Sequence, residues 1–301
     1  MKKALVLIMV FVMVFGIFAC AKKSTSDVTI KVGSKDFTEQ LILGQLAIIA
    51  LREAGYNVED KTNVAGSDTC RKALESGEFD LYWEYTGTAW MMLLANETMI
   101  ADPQGLFDKV KEADAANGIV WLQFSPMNDT YALVMSQARS DELGISSYSE
   151  LGAYIQANPG ELVLACDHEF TARPDGLPGL VTTYGTDFGD SITTMDMGIV
   201  FTTLKDGQAD VGMVFSTDGR IKANNLLVLR DDKNFFPIYN GAPCVRADTL
   251  EKAPGIQAIL ESIAKLLTDE IMQELNAKVD IDGYEPAEAA EEFLKANGFL
   301  S

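Results

Sequence analysis

The chain has 301 residues, 48% of them apolar, with 44 acidic side chains against 24 basic ones and a formal net charge of −20. A surface this acidic repels nucleic acid and anionic lipid. The single histidine, His168, leaves a histidine metal cluster or a Ser/His/Asp triad almost no material, and neither a phosphate loop nor a dinucleotide fingerprint occurs. The length and apolar content suffice for a sizeable core and suit two lobes better than one.

The N-terminus reads Met1-Lys2-Lys3 and then runs apolar from Ala4 to Ala19, ending Ile17-Phe18-Ala19-Cys20 ahead of a polar stretch. This is the pattern of an export signal, residues 1–19, and the small residue before Cys20 resembles a bacterial lipobox, which makes Cys20 the acylated first residue of the mature chain. A transmembrane anchor is the alternative, for which the run is short. Removing residues 1–19 takes away Lys2 and Lys3, leaving 22 basic residues against 44 acidic ones, a net charge of −22. Cys70, Cys166 and Cys244 are at spacings that imply no metal site; two of them joined, or three buried thiols, are both compatible with an exported protein.

After a linker, residues 20–27, alternation predicts a first strand over Val28–Gly33. Ser34-Lys35-Asp36-Phe37-Thr38-Glu39-Gln40 then leads into a helix over Leu41–Ala54 that Gly55 stops. A strand over Val58–Val64, a helix from Ser67 or Asp68 through Leu74, a strand from Phe79 and a helix from about Thr88 follow. The next segments are a polar helix near Pro103–Asn117, the strand Ile119–Phe124, and a crossing through Pro126–Thr130 into Tyr131–Met135. A second set comprises the helix Tyr148–Ala157, the strand Leu162–Ala165, a loop His168–Pro178, the helices Gly179–Tyr184 and Gly198–Lys205, and the strands Asp210–Phe215 and Leu226–Leu229. The chain returns near Tyr239, and the helices Gly255–Leu267, Asp269–Lys278 and Pro286–Asn297 are expected to pack on the first lobe. Strands alternating with helices in this way indicate an α/β fold.

One unit is repeated. Leu74-x-x-Gly77-x-x-Asp80 precedes Tyr85 with the spacing by which Leu204-x-x-Gly207-x-x-Asp210 precedes Phe215, and each aromatic is followed by a hydroxyl-rich turn, Thr86-Gly87-Thr88 and Ser216-Thr217-Asp218-Gly219. In open α/β sheets such aromatics stand at the ligand-binding ends of strands. The turn after Tyr85 also reads as an anion cradle at a helix N-terminus. Duller readings exist for each residue: Tyr85 and Phe215 as core aromatics, Arg173 as a loop arginine paired with Asp175, and Lys35 as a solvated turn residue.

Val32-Gly33-Ser34-Lys35-Asp36-Phe37-Thr38-Glu39-Gln40, Glu84-Tyr85-Thr86-Gly87-Thr88, Asp129-Thr130-Tyr131-Ala132-Leu133, Glu169-Phe170-Thr171-Ala172-Arg173-Pro174-Asp175-Gly176-Leu177-Pro178 and Thr217-Asp218 carry a family resemblance. The chain resembles the ProX-like glycine betaine, proline betaine and choline binders of osmoprotectant ABC importers, over nearly all of residues 28–300. The resemblance implies a two-lobed periplasmic-binding-protein fold of type II with two interlobe crossings, lobe 1 being residues 28–129 plus 240–301 and lobe 2 residues 130–239. It implies no enzyme activity and no cofactor. The partners it implies are a betaine-type ligand, an ABC permease and its ATPase, and the membrane through the lipid on Cys20, outside the cytoplasm. Carried over by motif, an aromatic box of Tyr85, Tyr131, Phe215 and Tyr239 takes the quaternary ammonium. Lys35, Thr88 and Arg173 take the carboxylate, and Asp129 lines the cationic end. Phe215 stands where close relatives have tyrosine, and Asn240 where an acidic residue is common. Choline, lacking a carboxylate to neutralise Lys35 and Arg173, is then expected to bind more weakly than glycine betaine.

Overall fold

A computed structural model describes residues 28–96 and 98–300. The export segment, Cys20 and the linker lie outside the described residues. Ten strands follow in chain order: β1 (Thr29–Gly33), β2 (Asn57–Lys61), β3 (Leu81–Tyr85), β4 (Ile119–Trp121), β5 (Tyr131–Ser136), β6 (Leu164–Cys166), β7 (Ile192–Thr194), β8 (Val211–Phe215), β9 (Leu226–Val228) and β10 (Gly241–Arg246). They form two five-stranded sheets with the same plan, β2-β1-β3-β10-β4 and β7-β6-β8-β5-β9. In each, the strand that enters from the other half of the molecule, β10 or β5, lies antiparallel to both neighbours. The chain crosses between the sheets twice, after β4 and after β9, and the two crossings pair with each other at the bridge Asn128–Asn240.

The repeated sequence unit has a structural cause in both sheets. Gly77 and Gly207 end their helices in the left-handed conformation, at φ +79° and +66°, and their N–H groups close onto Leu74 and Leu204 carbonyls at 3.2 and 3.1 Å. Three residues on, Asp80 accepts the Lys31 N–H at 2.8 Å and Asp210 accepts the Val163 N–H at 3.0 Å. Each carboxylate therefore fixes the start of its strand beside the neighbouring parallel strand, and five residues later the strand ends in Tyr85 or Phe215.

Most predicted elements form within a few residues of the expected limits. The differences have local reasons. The segment His168–Pro178, read as loop, contains the short helix His168–Ala172, capped by Asp167, whose carboxylate accepts the Phe170 N–H at 2.6 Å. β10 was not anticipated, because Gly241-Ala242-Pro243-Cys244-Val245-Arg246 carries a proline and no clear alternation; Pro243 nonetheless sits opposite Trp83, and its carbonyl accepts from Leu122 N–H at 3.0 Å. The helix expected from Thr88 is a brief turn, Thr86–Thr88, that continues as a π-helical segment, Ala89–Leu93. The helices Gly255–Ala264, Asp269–Asp280 and Pro286–Ala296 pack against Thr38–Glu53, as expected.

Cys70, Cys166 and Cys244 are buried free thiols, and burial pushes Cys70 and Cys166 up to about 12. They behave as small apolar groups. No helix among the described residues is long and apolar enough to cross a membrane.

Candidate functional site

The two sheets face each other across a cleft of about 760 Å³, and all eight residues expected at the site line it: Lys35, Tyr85, Thr88, Asp129, Tyr131, Arg173, Phe215 and Tyr239. Their positions follow from the strands. Tyr85 and Phe215 end β3 and β8, Tyr131 begins β5 directly opposite Phe215, and Tyr239 stands just ahead of β10. Gly87 is needed here, because a Cβ on it would lie 2.7 Å from the Tyr239 ring.

The rings form a column rather than an open box. Phe37 stacks on Phe215 at 4.9 Å between centroids and on Tyr85 at 6.3 Å, Phe215 stacks on Tyr131 at 5.5 Å, and Tyr239 meets Tyr131 edge-on at 5.7 Å. Phe37 is thus a fifth ring that the sequence reading quoted in its motif and did not assign. Its position just before the helix Thr38–Glu53, next to Lys35, was the available signal.

The two cations expected to hold a carboxylate are already paired. Lys35 Nζ donates to Glu84 Oε1 at 2.6 Å beneath the Tyr85 ring, and the fully buried Glu84 also accepts from the Tyr82 hydroxyl at 3.0 Å and the Tyr85 N–H at 2.8 Å. Arg173, 3% exposed, makes two parallel bonds to Asp175 at 2.8 and 2.6 Å and a third to Glu169 at 2.8 Å, with Thr88 Oγ at 3.4 Å. The view that only a ligand carboxylate could neutralise this pair therefore does not hold. Pairing with Asp175 and a place in the cleft coexist at Arg173, whose guanidinium also lies 5.4 Å from the Tyr131 centroid.

The hydroxyl-rich turns also do something other than expected. Thr86 N–H donates to Asn240 O at 3.0 Å and its hydroxyl to Ile238 O at 3.1 Å, which ties the turn after Tyr85 to the second crossing. Ser216 mirrors this after Phe215: its N–H donates to Thr130 O at 2.9 Å and its hydroxyl to Asn128 O at 3.0 Å on the first crossing. The first N–H of the expected anion cradle is consumed by the second crossing. Asn240 ties the two crossings together, since its amide donates to Ser125 O at 3.3 Å and Met127 O at 2.8 Å, which an ionised acid could not do.

At the other side of the rings lies a buried acidic pair. Glu39 accepts from the Tyr85 hydroxyl at 2.7 Å, from Asn276 Nδ2 at 3.2 Å and contacts Thr217 Oγ at 2.6 Å, while Asp129 contacts the same Thr217 Oγ at 2.7 Å. Burial first, and then the charge of Glu39, hold Asp129 well above the usual carboxylate range; burial likewise raises Glu39 against the pull of its hydrogen bonds. Along the whole cleft, eight aspartates and glutamates face three lysines and arginines. The lining therefore favours a ligand with a cationic group. No group of histidine, cysteine and carboxylate side chains among the described residues has the arrangement to hold a metal ion.

Residues 28–296 match the family model described as the substrate binding domain of an ABC-type glycine betaine transport system. The chain belongs to this family. It is 39% identical to the glycine-betaine-binding protein of Pseudomonas aeruginosa, over 95% of this chain and 92% of that one. It is 31% identical to the glycine betaine-binding protein YehZ of Escherichia coli, over 90% and 91%. Among solved structures, a glycine betaine/carnitine/choline ABC transporter protein superposes with a TM-score of 0.72 at 26% identity, covering 90% of this chain and all of the other. The two-lobed type II fold expected from the sequence is the fold of this family. A substrate-binding domain of an ABC importer works outside the cytoplasm, captures solute for the transporter and catalyses no reaction.

Proposed function

We propose that this protein captures a quaternary ammonium compatible solute of the glycine betaine type between its lobes and delivers it to an ABC permease driven by its ATPase. The observation that carries the reading is the column of five rings, Phe37, Tyr85, Tyr131, Phe215 and Tyr239, in the same cleft as the buried Glu39 and Asp129. A methylated ammonium donates no strong hydrogen bond, so ring faces recognise it, each for about 0.5–2 kcal/mol depending on desolvation. Arg173 and Thr88 from opposite lobes, with Lys35 nearby, form the polar end toward which a carboxylate would point. Lobe 1 is residues 28–129 plus 240–301 and lobe 2 residues 130–239, so the ligand bridges them. Cys20, acylated after removal of residues 1–19, anchors the protein to the membrane.

A choline-type alcohol is the second reading, favoured by the prior pairing of Lys35 with Glu84 and of Arg173 with Asp175 and Glu169. Calorimetric titration with glycine betaine, proline betaine, choline and unmethylated glycine tests both. The methylated solutes bind and glycine does not if the rings recognise the ammonium; equal binding of glycine would contradict the reading.

A further inference from the structure

Thr217 Oγ lies 2.6 Å from Glu39 Oε2 and 2.7 Å from Asp129 Oδ1. A threonine hydroxyl carries one proton and donates one hydrogen bond, so it can satisfy only one carboxylate. The second contact closes only if the other carboxyl is itself protonated and donates to Thr217. Two buried carboxylates that share one hydroxyl and have no cation bonded to them among the described residues thus hold one proton between them. We propose that Glu39 joins Asp129 as counter-charge for the ligand's ammonium group and that the pair releases its shared proton to solvent as the ammonium enters.

This inference rests on the proposed function and deepens it, adding Glu39 to the cationic end and coupling ligand entry to the release of a proton. The groups facing the pair come from every element packed on it. They are Tyr85 at the end of β3, Asp218 beside Thr217, and Asn276 and Asp280 on the helix Asp269–Asp280. Arg220 is the nearby cation, and it is occupied by Asp218 at 2.6 Å and Asp280 at 3.3 Å. None of these supplies a free positive charge to the pair. An entering ammonium does, and it stabilises the doubly ionised form; the carboxyl O–H bond breaks, the proton passes to buffer, and Thr217 is left donating to one of two carboxylates.

The test is calorimetry of the full protein with glycine betaine and, separately, choline, at one pH near neutrality in buffers of different ionisation enthalpy. The expected result is release of close to one proton per ligand, with affinity rising roughly tenfold per pH unit through the titration of the pair. Glu39→Gln keeps the shape and removes the shared proton, so its binding should be weaker by tenfold or more, with the proton release gone and affinity flat with pH. Binding by the wild type without proton exchange in any buffer overturns the inference and leaves the proposed function intact. Absence of binding by either solute overturns both.

Discussion

Lys35 Nζ stands 2.6 Å from Glu84 Oε1, and both side chains are buried. The cation at the floor of the cleft is thus compensated by the protein itself. Removing one partner of a buried pair leaves an unmatched charge, which costs about 3–5 kcal/mol. Glu84→Gln is expected to lower the unfolding free energy by about that amount in urea titrations. A loss below about 1 kcal/mol would mean that Lys35 reaches water in the native state.

Phe215 is the box ring least enclosed by the core, whereas Tyr85 is 4% exposed and hydrogen-bonded to Glu39. Phe215→Ala should therefore weaken glycine betaine binding by about 1–3 kcal/mol with little change in melting temperature. Tyr85→Ala should lose binding and stability together, because Tyr85 supports the core as well as lining the cleft. Unchanged affinity in Phe215→Ala would remove that ring from the site.

Discrimination between glycine betaine and choline is expected to be modest. With Arg173 held by Asp175 and Glu169, closing over choline strands no cation, so the two affinities should lie within roughly tenfold, or about 1.4 kcal/mol. Competition measured by calorimetry checks this. A much larger preference for betaine would show that Arg173 gives up its protein partners to the ligand.

Asp167 has its carboxyl raised to about 6 by burial, despite accepting the Phe170 N–H. A raised acid favours the folded state below its ordinary value of 3.8, and that contribution is lost as pH climbs through about 6. Asparagine also caps helices. Asp167→Asn should be more stable than wild type at pH 7.5, by up to about 3 kcal/mol, and match it near pH 3. Equal stability at both pH values would contradict the burial argument.

Much of this architecture was legible because it rests on local chemistry. Leu-x-x-Gly-x-x-Asp spells a helix end, a left-handed glycine and a strand start, so β3 and β8 and the placement of Tyr85 and Phe215 at their ends could be read directly. The eight site residues came with the family resemblance that the motifs carry, and all eight line the cleft. What could not be read was pairing across long separations: Glu84 with Lys35, 49 residues apart, or Glu39 with Thr217, 178 residues apart. Those contacts decide which charges are free, and so the carboxylate site looked emptier in sequence than it is. Glu39 is hidden for the same reason, and although Phe37 stands beside Lys35 at the same helix start, nothing local shows that its ring meets Phe215 from the other lobe.

A crystal structure with glycine betaine decides whether the ligand's ammonium lies against the rings of the interlobe cleft. The quaternary nitrogen is expected within about 6 Å of the Tyr131 and Phe215 centroids, with Phe37 moved from its stack on Phe215 and the carboxylate toward Thr88 and Arg173. A carboxylate among the rings, or a ligand outside the cleft, would contradict this placement.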